Sequence, residues 1–273
     1  MRFLFWNINK HKGLENLVCE LVHENDADIL IMAESELDER KMLIGLNELG
    51  KEFYRRTDYF SEKIEIYSRY RKEYLDIKFD DGNMSAREIS LPGKESILVV
   101  GAHFPSKMNG NNEEEQLLAS IDIAENLKML QEKVNHKRII LVGDLNMNPF
   151  ESGMTSAKGL HATMDKRIAS RKFRVVKGKT YDWFYNPMWG KLGDNGQEPP
   201  GTFFQNGNEY NNIFWNMLDQ VIISHEMVNK FNLESLKIIG KTRDKSLLTK
   251  LGRPNKKIGS DHLPLFFELL EKE

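Results

Sequence analysis

Residues Arg138–Pro149 read RIILVGDLNMNP. Ile139–Val142 is a short apolar run, rich in β-branched side chains, with Lys137 and Arg138 before it and Gly143 after it. A run of that length and composition predicts a buried strand that breaks into a loop at the glycine. Asp144 and Asn146 follow the break at alternate positions. Taken alone, Gly-Asp-x-Asn is an Asx turn capping a strand. At the mouth of a buried strand the same carboxylate and carboxamide are also placed to hold a water and a metal-bound phosphate. The remaining segments decide between these readings.

The chain has 273 residues, 40% of them hydrophobic and 29% charged, as expected for one globular domain spanning 1–273 with a substantial core. The formal net charge of -2 does not mark a nucleic-acid binder, so any such role must come from local basic clusters. The single cysteine, Cys19, excludes an internal disulfide framework and fits a reducing compartment. Its neighbours Leu17, Val18, Leu21 and Val22 predict a buried core thiol rather than a nucleophile. No apolar run reaches membrane-spanning length, and the chain enters FLFWNIN with no apolar signal region before it. A cytoplasmic protein without a membrane partner is expected.

Phe3–Trp6 is a short apolar strand followed by Asn7 and Asn9. Helical spacing then runs through Leu14, Leu17, Val18, Leu21 and Val22, and Ile29–Ala33 is the next buried strand, ending at Glu34. Met42, Leu43, Leu46 and Leu49 predict a second helix closed by Gly50. Residues 53–91 have the character of short strands, among them IEIYSRY and LDIKF, with a turn at Asp81-Gly82-Asn83. Ile97–Gly101 is a further strand that ends in Ala102-His103-Phe104-Pro105. Gln116–Val134 forms a long amphipathic helix, with Glu113–Glu115 at its favourable positive end. Residues 166–179 are basic without an acid. Residues 182–216, rich in aromatics, predict a long ordered loop. Leu218–Ile223 is a strand containing Asp219, and Ser224 reads as the cap of a short helix. A second basic stretch, 237–257, predicts a loop, and Asp261-His262 precede a last apolar strand. Helix and strand alternate early, and strands with loops dominate later. That order predicts an α/β (α+β) fold, a four-layer sandwich of two packed mixed β-sheets flanked by helices.

Asn7, Glu34, His103 and Asp144 with Asn146 each follow an apolar strand, and Asp261 with His262 begins one. An antiparallel placement of the last strand brings its beginning beside the ends of the others. Five such groups point to a shared pocket. Glu34, Asp144 and Asp261, with the amides of Asn7 and Asn146, are hard oxygen ligands that suit magnesium or manganese and not zinc. His103 and His262 supply donors to phosphate oxygens or a proton shuttle, and Asp219 is placed to hold His262 in one tautomer.

At these motifs the chain resembles the endonuclease/exonuclease/phosphatase superfamily, which includes pancreatic deoxyribonuclease and abasic-site endonucleases. WNIN at 6–9, AE at 33–34, AHFPS at 102–106, GDLN at 143–146, LDQVIIS at 218–224 and SDHLP at 260–264 carry the likeness in family order. The resemblance implies a two-sheet sandwich and hydrolysis of a phosphoester dependent on Mg2+ or Mn2+. It implies Glu34 as principal metal ligand with Asn7 and Asp261, and Asp144 as the group that orients or deprotonates water. It further implies that Asn146 holds that water and the phosphate, that His262 backed by Asp219 stabilises developing charge, and that His103 is an acid or phosphate donor. Arg87, in SAREISL, matches an arginine aimed at the substrate phosphate. Ala33 stands where the family usually has glutamine.

Nucleic acid is the expected substrate, with 166–179 and 237–257 gripping backbone phosphates and loop aromatics touching bases. The alternatives are a small nucleotide, phosphoinositide or sphingolipid headgroup, and a catalytically silent binding module.

Overall fold

The computed structural model describes residues 1–50, 52–55, 63–107, 113–194, 199–208 and 210–270. In chain order, β1 (Arg2–Asn7) leads through α1 (Glu15–Glu24) to β2 (Ile29–Ala33), followed by α2 (Glu39–Asn47), β3 (Tyr54–Arg55) and β4 (Ile64–Ser68). β5 (Leu75–Asp80) and β6 (Met84–Ile89) precede β7 (Ile97–His103), which α3 (Glu113–Val134) joins to β8 (Ile139–Asp144). Next come α4 (Ser152–Thr155), β9 (Ala162–Thr163), α5 (Lys166–Ala169), β10 (Phe173–Val176), β11 (Lys179–Asp182) and β12 (Phe184–Tyr185). β13 (Phe203–Phe204), β14 (Trp215–Asn216), β15 (Asp219–Ser224), β16 (Phe231–Ile238) and β17 (Leu265–Leu269) complete the chain.

Two large mixed sheets result, ordered β16-β17-β1-β2-β4-β3 and β5-β6-β7-β8-β15-β12-β9. Each is built around a parallel pair, β1–β2 in the first and β7–β8 in the second. Parallel neighbours need a crossover, and α1 and α3 supply it. The alternation along β7 shows how the layers stack. Leu98, Val100 and Ala102 pack with Ile123, Leu127 and Leu130 of α3, while Ile97 and Val99 join the other core, shared with the first sheet. There β1 lies over β8, and β2 and β4 lie over β7. A Cβ on Gly101 would stand 2.7 Å from the Ile64 Cγ2 and 3.1 Å from the Ile31 Cγ2, so a bare backbone lets the sheets close at that point. Burying each Leu, Ile or Val of these faces contributes about 1.5–3 kcal/mol, which makes the two apolar layers the main source of stability.

The parallel pairs place the ends of β1, β2, β7 and β8 at one edge. The strands antiparallel to them, β17 on β1 and β15 on β8, begin at that same edge. Six strand termini are thereby gathered; five carry the groups that the sequence pattern singles out, and the sixth is Asp219, which opens β15 instead of lying within it.

Several local expectations are corrected. β8 does not break at Gly143 but runs on to Asp144, which pairs with His103 and Asp219 on either side. Ser224 ends β15 and caps no helix; its Oγ accepts a hydrogen bond from the Ile139 N–H at 2.9 Å, and a turn follows. The 182–216 stretch is not one loop, since β12 and the β13–β14 hairpin lie within it. Residues 56–62, including Tyr59, together with 195–198 and 209, lie outside the described residues. Cys19 is buried against α2, and burial pushes its thiol up to about 12, so it is a core thiol. No described helix is long and apolar enough to cross a membrane.

Candidate active site

Asp144 is the hub of the gathered strand ends. Its carboxylate is 2% exposed at the end of β8. Oδ1 accepts the Asn146 N–H at 2.9 Å, and Oδ2 accepts from the Asn7 Nδ2 at 2.8 Å. Asn7, at the end of β1, also points Nδ2 at the Glu34 Oε1 at 3.4 Å. His103 Nε2 lies 2.8 Å from that same Glu34 oxygen and 3.8 Å from the Asp144 Oδ2. A carboxylate only accepts, so this Nε2 carries the proton. His262 Nε2 approaches the Asp144 Oδ2 at 3.8 Å, while its Nδ1 bonds the Asp219 Oδ2 at 2.8 Å.

Glu34 and Asn146 both hold left-handed backbone, each at φ 49. Asparagine tolerates that region, but a glutamate there is strained by about 1–2 kcal/mol. The Glu34 N–H is tied to the Lys63 carbonyl at 2.9 Å and its own carbonyl takes the Lys10 N–H at 2.8 Å, which hold the residue in place.

The electrostatics follow from burial and carboxylate density. The hydrogen bond from His103 holds the Glu34 carboxyl below its ordinary 4.5, against the effect of burial. Burial pushes the Asp144 carboxyl above its ordinary 3.8, although His262 opposes it. For His262 burial disfavours charge, yet Asp219, Asp144 and Asp261 outweigh it and push the imidazole up to about 10. The site therefore pairs a basic buried carboxylate with a cationic imidazole.

Asp261 forms a neighbouring group of its own. Both of its oxygens accept from the Asn9 Nδ2, at 3.0 and 2.9 Å, and Lys256 Nζ stands 3.0 Å from its Oδ2. Asn9 links this group back to the hub, since its N–H reaches the Asn7 Oδ1 at 2.9 Å. Among the described residues, Glu34, His103 and Asp144 form one set with ligand atoms within 4.8 Å of one another, and Asp144, Asp219 and His262 form another.

Arg87 is not brought to this cluster. It lies opposite Val99, four residues short of His103, or roughly 13 Å along the strand. Its guanidinium meets the Asp80 Oδ2 at 3.0 Å in a buried ion pair. A register shift between Ile77 and Phe79 sets Asp80 in that position.

Other contributors carry little signal in the sequence. Thr202 Oγ1 accepts the Asp219 N–H at 3.0 Å, and its carbonyl accepts the Leu263 N–H at 2.9 Å, so it joins the two strands that carry the Asp219–His262 pair. Phe203 packs its ring 4.8 Å from that of His262. Trp6 Nε1 donates to the His262 carbonyl at 2.9 Å. Asn9 could have been found from its alternation with Asn7; Thr202 and Phe203 sit in a stretch with no periodicity.

The two basic stretches separate. The 237–257 stretch is itself divided: Lys256 reaches Asp261 and Arg253 stacks 4.4 Å over Phe204, whose ring meets Trp215 edge-on at 5.4 Å, whereas Arg243 and Lys245 meet Glu24 and Glu20 of α1. The 166–179 stretch sits elsewhere. Phe184, which follows its hairpin, pairs with Ser224 at the far end of β15, whereas Asp219 begins that strand beside Asp144.

A model of the Endonuclease/Exonuclease/phosphatase family matches residues 4–262. The chain belongs to that family. Solved structures of the endonuclease/exonuclease/phosphatase fold align over nearly the whole length. A truncated Caenorhabditis elegans TDP2 aligns with a TM-score of 0.58 at 15% identity, over 99% of this chain and 97% of that one. An AP endonuclease from Archaeoglobus fulgidus gives 0.55 at 17% identity, over 98% and 99%. The 3' phosphatase NExo (D146N) from Neisseria, bound to product DNA hairpin, gives 0.52 at 17%, over 98% and 99%. No curated protein matches the sequence. At these identities the neighbours share the fold.

Asp219→Asn should lower kcat by about 10–100-fold while leaving the fold intact, because His262 loses the carboxylate that orients it. Turnover on a small phosphodiester, read with imidazole nitrogen NMR for the His262 hydrogen bond, checks this. Unchanged kcat with a lost hydrogen bond would remove Asp219 from the machinery.

Proposed function

We propose that residues 1–273 form one catalytic domain, a divalent-metal-dependent phosphoester hydrolase acting as a nuclease on DNA or RNA. The observation that carries this reading is the Asp144 hub, where a buried carboxylate of raised basicity meets Asn7, His262 and the Glu34–His103 pair. Family membership and the aromatic and basic rim around Phe204 and Arg253 support it.

The donor set fits a hard divalent cation. Four carboxylates (Glu34, Asp144, Asp219 and Asp261) converge on fewer cationic groups, and Glu34 and Asp144 present oxygens within 4.8 Å of each other and of His103. Glu34 would hold the ion with Asn7 beside it. Asp261 would be available to the ion if the Lys256 ammonium, on a side chain 69% exposed, moved aside. Bound there, Mg2+ or Mn2+ would supply Lewis-acid polarisation of the phosphoryl oxygen and neutralise the leaving oxygen.

The chain's own groups perform the rest. Asp144 takes a proton from the attacking water, the role its basicity suits. Asn146 orients that water and the phosphate; its Nδ2 is anchored on the Phe104 carbonyl at 2.9 Å. His262, locked by Asp219 on Nδ1, donates from Nε2 to the oxygen on which charge develops. His103 donates to Glu34, so its first role is to hold that carboxylate and not to protonate a leaving group. No covalent intermediate is required.

Magnesium- and manganese-dependent cleavage of single-stranded DNA, duplex DNA, RNA and a bis(aryl) phosphodiester tests the proposal, with Glu34→Ala as control. The expected result is metal-dependent polynucleotide cleavage that disappears in the variant. Cleavage of the small diester alone would keep the chemistry and replace the substrate with a small nucleotide or lipid headgroup. Metal binding without any turnover would overturn the hydrolase reading in favour of a silent module.

A further inference from the structure

We propose that the β10–β11 hairpin is a nucleic-acid exosite, a rigid basic finger that grips phosphate backbone away from the catalytic cluster. The inference rests on the nuclease reading for its biological sense but not for its physics.

Lys166–Lys179 contains seven lysines and arginines and no acid. All seven are exposed. Among the described residues Arg167 pairs with Asp165, and none of the other six has a carboxylate within ion-pair distance. Arg174, Lys177 and Lys179 stand on the two-stranded element outside both large sheets and the other four lead into it; the acid of that element, Asp182, is held by Lys137 at 2.6 Å. Charge of one sign attracts a polyanion and repels other basic surfaces.

The hairpin is preorganised. Arg174 and Tyr181 are paired across it on one face. Arg174 stacks 5.0 Å over Trp183, which in turn stacks 3.7 Å from the buried His161, and Tyr181 meets His161 edge-on at 6.2 Å. That face is fastened to the body of the protein. Alternation sends Phe173 and Val175 the other way, where they stand 50% and 60% exposed. Across the hairpin they face Asp182, which Lys137 neutralises, and Thr180, while Lys172 and Arg174 adjoin them in the chain and Lys177 lies two residues on. Apolar side chains beside cations can stack on bases while the charges hold the backbone. At the tip, Lys177 and Gly178 both have positive φ, 49 and 76. Such two-residue turns favour Asn-Gly. A lysine there accepts strain in order to project a charge from the end of the finger.

Position separates this surface from catalysis. Phe184 pairs with Ser224, five residues along β15 from Asp219, so the base of the hairpin lies about 17 Å from the hub along the strand. A small diester cannot span that distance, whereas a polynucleotide can. Phosphate backbone is favoured over an anionic membrane because two side chains, Phe173 and Val175, offer little apolar surface for interfacial anchoring.

The test uses the full chain carrying Lys172→Gln, Lys177→Asn and Lys179→Gln. Lys177→Asn places the preferred residue in the turn, so the variant loses charge without losing the hairpin. Binding to single-stranded and duplex DNA of roughly 30 nucleotides is followed against salt with divalent ions chelated. The slope of log K against log salt should shrink by about 2–3, since each phosphate contact contributes about 0.7–0.9. Metal-dependent kcat/KM on the bis(aryl) diester should be unchanged. An unchanged salt slope overturns the exosite, as does a variant that loses binding only to phosphatidylserine vesicles. Absence of cleavage on every substrate would instead strike the nuclease reading and leave the binding result standing, so the two failures are distinguishable.

Discussion

Asp144→Asn should retain the fold and lose about 10³-fold in kcat, equivalent to about 4 kcal/mol of barrier. The substitution keeps the shape of the side chain at the end of β8 and removes its ability to take a proton. It also forces one mismatch. Both carboxylate oxygens accept from donors, the Asn146 N–H and the Asn7 Nδ2, so the new amide must set its own NH2 against one of them. That conflict costs about 1–3 kcal/mol, visible as a few degrees in Tm. Single-turnover rates with the folded variant separate the two losses. Near-normal turnover would remove Asp144 as the base.

The second large effect is on the fold. Gly143→Ala should destabilise the protein by more than about 3 kcal/mol, and the isolated variant should unfold far earlier on heating. A Cβ at this position would lie 1.9 Å from the Ala102 carbonyl oxygen and 2.7 Å from its carbon. These are backbone atoms of the paired strand β7, so no rotamer change relieves the clash. The strands must part at the step just before His103 and Asp144, which stand opposite each other. Differential scanning calorimetry decides the matter; a Tm within a degree or two of the parent would mean that β7 and β8 can separate there at little cost. The glycine of the GDLN motif is thus required by space, since its φ is not left-handed.

That finding bears on how far the residues alone can be read. An apolar run followed by glycine looks like the end of a strand, because glycine usually marks a turn. In β8 it marks a close approach, which depends on a neighbour 41 residues away. The central strands were legible because both faces are buried and polar residues emerge only at their ends. Asn7, Glu34, His103 and Asp144 are those residues, and Asp261-His262 preceding the last run signals the antiparallel return of β17. Non-local contacts were not legible. The Arg87–Asp80 pair exists because β5 shifts register. The 166–179 stretch is carried to the far end of the second sheet by a two-residue strand, too short to show a period. Thr202 and Phe203 reach the site through an isolated bridge, Phe203 to His262, and through the hydrogen bonds from Asp219 and Leu263 to Thr202.

The Asn7–Asp144 hydrogen bond has a mechanical meaning. Asn7 belongs to the first sheet and Asp144 to the second, and among the described residues no backbone ladder ties those two layers at that point. Glu34 and His103 repeat the arrangement, one from each layer. The proposed reaction centre is therefore a vernier, in which alignment is set by how two apolar surfaces slide on each other. A shear of one ångström between the sheets would leave every strand, helix and core contact nearly intact while parting the groups that must meet. On the proposed chemistry, packing residues behind the pocket, such as Ile31 and Ile64 where they close on Gly101, then govern catalytic alignment as well as stability.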